Sequence, residues 1–341
     1  MSEQWGLSSR QDNSTISFDS DRLPLPPPPL PPPPQFSSPS ALPVKKLYQV
    51  LAEGQLQPRS DREELKMLFQ NRSNSFRKEL NWLFINTPVP SLIQDGPQCG
   101  LVALWMAGHL LNAPEAVSLE KIVKCAVENK YTVQGEMFSG DNMVKLAKEV
   151  FTCHGELLTE GLIGSNKSRI MCHLTTGYPV LIPYDEDFNH EPCQKKGHKA
   201  HWAVVSGVLL GLRCELPDDI YERDPDIPGL YYLNGGGAAA SYPEECVVTS
   251  LLLAKQGKSL KYQMWEYEQV HRSNMQLTEF SPKRDKDGTS YILPDGGVKL
   301  GLRGVVILLR PLLSVTKLVA STTYTKPSRQ VLSASDYTST T

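Results

Sequence analysis

The chain has 341 residues, with 35 Lys and Arg against 37 Asp and Glu, a net charge of −2 and seven cysteines. So even a balance, without a basic stripe, argues against a nucleic-acid binder, and an odd set of cysteines without CxxC spacing argues against a disulfide framework; reduced thiols and a cytoplasmic location are expected. The N-terminus lacks the apolar core of a signal peptide, and the longest apolar runs, such as Val305–Leu309, are far too short to span a bilayer.

Residues 1–44 read as a disordered tail. Within it Leu23–Pro34 alternates leucine with blocks of proline, which fix φ and remove backbone donors. A polyproline II rod is expected there, suited to the aromatic grooves of SH3, WW, EVH1 or profilin-type partners, or else serving as a stiff spacer. Folded structure is expected over 45–312. Leu65, Leu68, Phe69, Phe76, Leu80 and Leu83 recur at helical spacing and predict helix over Asp61–Phe84, capped by Ser60 with Glu63 and broken near Asn71–Ser75. Further helices are predicted over Gly100–Leu111, Ser118–Asn129 and Ser139–Phe151. Strands are predicted at Tyr178–Tyr184, His201–Leu209, Val247–Ala254, Tyr291–Leu293 and Val305–Leu309, with loops over Asp185–Lys199 and Glu215–Glu245. Residues 313–341 read as a Ser/Thr-rich disordered tail. Helices first and strands after predict an α+β domain, a helical lobe packed on an antiparallel sheet.

The chemistry concentrates in two places. A turn, Gln94-Asp95-Gly96-Pro97-Gln98, delivers Cys99 to the start of a helix, where unpaired backbone N–H groups and the helix dipole favour thiolate. About a hundred residues on, His201 opens the run Trp202-Ala203-Val204-Val205. Cysteine on a helix followed by histidine on a strand is the chain order of papain-like thiol hydrolases. Cys99 is the candidate nucleophile and His201 its base, with His198 as the rival. Gln94 is placed to donate to an oxyanion beside the Cys99 N–H, and Gly100 leaves room for substrate. For the residue that orients His201, local chemistry favours Asp224, topology favours Gln256, and Asn234 is a third candidate. His190, Cys193, His198 and His201 form a ligand-rich window, but its spacing is unlike that of paired zinc ligands and it would consume the base, so neither metal nor cofactor is expected.

Gln94, Cys99-Gly100 and the run from His201 to Gly207 resemble the bacteriocin-leader peptidase-like (C39-like) branch of the papain-fold cysteine proteases. The proline rod, the turn before Cys99, Lys-Gln-Gly-Lys-Ser at 255–259, Ser273-Asn274 and Gln276-Leu277 extend the resemblance to members that trim the N-terminus of actin. It implies a papain-like fold and a cysteine aminopeptidase that removes an N-acetylated methionine or cysteine from immature actin. It further implies that Leu23–Pro34 binds profilin, which carries actin, and that Lys195, Lys196 and Lys199 form a basic rim for an acidic substrate. The alternatives are a cysteine hydrolase acting on another peptide or a ubiquitin-like substrate, and a polyproline adaptor with an inactive protease-like domain.

Overall fold

A computed structural model of the chain describes residues 61–111, 115–233 and 241–312. The two tails, Ser60 and Asn234 lie outside those residues. Helix α1 (Asp61–Asn71) is followed by a 3-10 turn at Ser73–Ser75 and strand β1 (Asn81–Asn86). The expected helix over Asp61–Phe84 is therefore corrected: it stops at Asn71, and its last apolar residues belong to a strand. The cluster Asn71, Ser73, Asn74 and Ser75 ends it, since such side chains compete with helical backbone bonds. Phe76 nevertheless meets Phe69, the rings stacking at 4.4 Å. The helix-like spacing thus reflects a tertiary contact across the break.

Helices α2 (Cys99–Gly108), α3 (Leu119–Glu128) and α4 (Gly140–Phe151) follow near their expected positions. The Ser118 and Ser139 hydroxyls cap the last two, accepting from the N–H groups of Lys121 and Asn142. Strand β2 (Cys153–Leu158), helix α5 (Ser165–Thr175), β3 (Val180–Glu186), β4 (Pro192–Cys193) and β5 (Ala200–Leu212) come next. Strands β6 (Tyr221–Arg223) and β7 (Leu230–Leu233) lie inside the expected loop Glu215–Glu245. The chain continues through β8 (Val247–Gln256), β9 (Ser259–Glu266), α6 (Tyr267–Met275), α7 (Pro282–Asp285), α8 (Gly297–Leu302) and β10 (Val306–Pro311). Tyr291–Leu293 forms no strand; the Tyr291 ring packs on Phe138 and Phe280 instead.

These strands make one sheet with its spine at β5. Antiparallel partners of β5 are β3 along Ala200–Val205, β1 along Gly207–Leu212 and β8 along Ala203–Leu212. Among the described residues every pairing is antiparallel except that of β1 with β7. Trp202, Val204 and Leu209 face a core shared with α2, α3 and α4. Ala203, Val205, Val208 and Leu210 face a second core closed by α5 and α6. Both faces of β5 are covered, which is why it reads as one continuous apolar run. The fold is α+β, with the helix that begins at Cys99 packed on the strand that begins beside His201. Among the described residues no helix is long and apolar enough to cross a membrane.

Candidate active site

Cys99 is the first residue of α2, in the turn whose N–H groups lack helical partners. All of α2 but Trp105 is buried. Its approach to β5 depends on Gly100, where a Cβ would come within 2.9 Å of Met143, 3.0 Å of Met137 and 3.1 Å of Trp202. The missing side chain therefore serves close packing of the helix on the sheet; the expectation that it clears a path for substrate is corrected. Trp202 is fixed in turn by its indole N–H, which donates to the Met137 carbonyl at 2.9 Å.

His201 is buried, and its charge acts on the Cys99 thiol. Its Nε2 lies 3.0 Å from Gln256 Oε1. That oxygen also accepts the Lys258 backbone N–H at 2.7 Å, which fixes the direction of the Gln256 amide. An oxygen facing Nε2 makes that nitrogen the N–H donor, so Nδ1 is left with the lone pair a base needs. The Tyr184 ring, opposite in register, packs edge-on against the imidazole at 5.8 Å. Burial pushes the Cys99 thiol up. The charge and hydrogen bond of His201, the Trp202 backbone and the Arg284 charge outweigh burial and bring the thiol below its ordinary value.

Of the candidates for orienting His201, Gln256 reaches the imidazole and Asp224 does not. Asp224 sits at the turn between β6 and β7, where it pairs with Lys66 at 3.0 Å and accepts from Tyr232, Asp226 and Ile227. It is a turn-capping carboxylate, and the expectation that it serves the base is corrected. Gln94 is joined to the same cluster. Its backbone N–H donates to the Gly257 carbonyl at 2.7 Å, and a Cβ on Gly257 would strike the Gln94 side chain at 2.7 to 2.9 Å. One Nε2 hydrogen of Gln94 goes to the Gly96 carbonyl at 2.7 Å. Among the described residues, Gln94 Oε1 and Gln256 Nε2 are buried without a hydrogen-bond partner.

The first two residues of the expected loop Asp185–Lys199 are instead the end of β3, and they supply a group that the sequence reading missed. Glu186 still belongs to β3, two residues beyond Tyr184 and on the same face, so its carboxylate reaches to 3.9 Å from His201 Nδ1. The other end of that loop is organised by buried Asp185. Its carboxylate accepts the backbone N–H groups of Lys195, Gly197 and Lys199, each at 2.8 Å, and the Gln276 amide at 2.7 Å. Ser273 ties Asp185 to Cys193, and Asn274 ties Pro183 to Val305. The Ser273-Asn274 and Gln276 motifs are thus struts under the histidine strand. In the same region His190 pairs with Glu186, and His198 and Lys196 pair with Glu279. No set of His, Cys, Asp or Glu among the described residues is grouped to hold a metal ion.

The contrast between thiols is testable. Cys153 is buried in the apolar core and pushed up to about 11. Limited iodoacetamide treatment at about pH 7, followed by peptide mapping, is expected to alkylate Cys99 well ahead of Cys153. Equal rates would mean that the imidazole does not ionise Cys99.

Residues 89–209, which include Gln94, Cys99, Glu186 and His201, match the family described as "Actin maturation protease-like, C-terminal domain". Proteins named actin maturation protease align over most of the chain. The one from Xenopus tropicalis is 54% identical over 78% of this chain and 86% of its own length. For Danio rerio the figures are 52%, 80% and 89%, and for Homo sapiens 53%, 73% and 72%. A putative C39-like peptidase from Bacillus anthracis overlays with a TM-score of 0.35 at 12% identity, covering 66% of this chain and 96% of its own. More than half of the residues are shared with the Xenopus and Danio proteins over stretches that run through both halves of the thiol–imidazole pair, and the chain belongs to the actin maturation protease family.

Proposed function

We propose that the chain is a cysteine aminopeptidase that removes the N-acetylated first residue, methionine or cysteine, from immature actin. One observation carries the catalytic half: a thiol at a helix N-terminus packed on the strand of a buried histidine whose Nε2 is bound to Gln256. An inactive adaptor would have no use for that arrangement. Family membership supports actin as substrate.

The proposed reaction uses these groups in turn. His201 Nδ1 takes the Cys99 proton, and the thiolate attacks the carbonyl carbon of the acetylated first residue. The carbonyl oxygen becomes an oxyanion that receives the Cys99 backbone N–H and the second Nε2 hydrogen of Gln94, the one not given to Gly96. The tetrahedral adduct collapses as the imidazolium returns its proton to the departing α-amine of the second residue. Water, deprotonated by His201, then attacks the thioester, releasing the acetyl-amino acid and restoring the thiol. Gln256 keeps the imidazole in one tautomer throughout. Leu23–Pro34, outside the described residues, is the segment we propose docks profilin or another polyproline-binding protein and raises the local concentration of actin. We place the protein in the cytoplasm, where its substrate is made.

Mass spectrometry of the actin N-terminus tests this reading in cells lacking the protein, rescued with wild type or Cys99→Ala. Wild type is expected to restore the shortened N-terminus and Cys99→Ala to leave it acetylated and full-length. Equal rescue would remove Cys99 as nucleophile; rescue by neither would remove actin as substrate.

A further inference from the structure

Gln256 points His201 but is neutral, so it lends no charge to the imidazolium formed when the thiol ionises. Glu186 is placed to do so. We propose that Glu186 is a positioning residue for the reaction, holding His201 in its protonated form while Cys99 is a thiolate; this rests on the thiol-hydrolase reading above.

The carboxylate is 5% exposed, and its Oε2 lies 3.9 Å from His201 Nδ1. That is too long for a hydrogen bond, yet close enough for strong attraction between opposite charges in a site where water screens little. A direct bond would occupy Nδ1, the nitrogen that Gln256 leaves with the lone pair; a carboxylate one step back stabilises the cation and leaves that lone pair free. Glu186 is held at that distance from two sides. Its Oε1 receives His190 Nδ1 at 2.6 Å, and its Oε2 pairs with Lys258 Nζ. Lys258 also fixes Gln256 through its backbone N–H. One residue in the β8–β9 turn therefore sets both groups that flank the imidazole.

Other charges bear on the pair. Burial pushes Glu186 up, but the His201 charge and the bonds from Lys258 and His190 outweigh it, so the carboxylate stays below its ordinary value and ionised. Lys258 is 44% exposed and His190 30%, so solvent screens both more than it screens the buried pair. Asp187 lies just beyond Glu186 and Cys193 on β4, and Tyr184 is held as a neutral phenol by burial and by the Glu186 charge. On the thiol side, Arg284 favours the Cys99 thiolate.

The test is the rate of Cys99 alkylation by iodoacetamide against pH in the full chain, compared with kcat and KM on an N-acetylated peptide. Wild type is expected to show two limbs, thiol ionisation and then loss of the imidazolium. In Glu186→Gln the alkaline limb is expected to move down by about one pH unit, with kcat at pH 8 falling about tenfold and KM unchanged. Glu186→Asp should recover part of the shift. Lys258→Met keeps the backbone N–H on Gln256 but removes a cation from Glu186, so its alkaline limb should move up. Should Glu186→Gln fail to fold by circular dichroism, the sign of the Lys258→Met shift decides. Limbs that overlie wild type in the folded variants would overturn the role of Glu186 while leaving the enzyme reading intact. A wild-type profile with one ordinary thiol limb would instead overturn the thiol-hydrolase reading on which it stands.

Discussion

His201→Ala is expected to lower kcat/KM on an N-acetylated peptide by about 10^3- to 10^4-fold, with only a modest loss of stability. On the proposed mechanism two functions disappear together, the base for the thiol and the acid for the leaving amine. The largest influence on Cys99 is burial, which pushes the thiol up, and without the imidazole little opposes it. The thiol should then become unreactive to iodoacetamide near neutral pH. The frame survives, because Gln256 Oε1 keeps the Lys258 N–H and Glu186 keeps Lys258 and His190. Cys99→Ala combined with His201→Ala should be no slower than either change alone, since the pair acts as a unit. Additive losses in that double variant would show that the two do not act on the same step.

Asp185→Ala should cost about 3–5 kcal/mol in folding free energy, read from the urea midpoint. The carboxylate is fully buried and accepts from three backbone N–H groups and the Gln276 amide. An alanine takes the acceptor from these donors, and water reaches the Gly197 N–H poorly because Gly197 is itself buried against the Glu279 carbonyl. Asp185→Asn should be nearly as damaging, since an amide turns an N–H toward at least one of the same donors. The effect extends to catalysis: Lys199 is two residues before His201, and its carbonyl accepts from Glu186. A variant that still folds should therefore lose activity beyond its loss of stability. An unchanged urea midpoint would mean that the loop is held by other contacts.

Much of this site was legible because its parts sit where local chemistry is conspicuous. Cys99 follows a Gly-Pro turn and opens an apolar helix, and His201 opens the most apolar strand. Gln256 was legible by topology, since the strand paired beside the histidine strand ends there, whereas Asp224 had only the local look of an orienting carboxylate and is spent on its own turn and Lys66. Glu186 was hidden because charged residues after Tyr184 read as loop, and only the pairing of β3 with β5 at Asp185 and with β4 at Glu186 shows the strand running on for two more residues. The helix predicted through Phe84 failed for a related reason. Leu80 and Leu83 keep helical spacing from Phe76 but are covered by opposite faces of a sheet, which no local pattern reveals. The sequence signal for Ser273, Asn274 and Gln276 came from resemblance alone; their bonds to Pro183, Asp185, Cys193 and Lys196 explain why those residue types stand there.

The clasp between Gln94 and Gly257 bears on when a cell first possesses this activity. Cys99 leaves the ribosome early, but the turn that holds Gln94 and the Gln256 amide bound to His201 are made much later, and they join the early segment through long-range contacts. A nascent chain halted before Lys258 carries a thiol without a directed base. On the proposed mechanism such a chain lacks the contacts that complete the thiol–imidazole pair, so a half-made copy has no working scissors to turn on its neighbours.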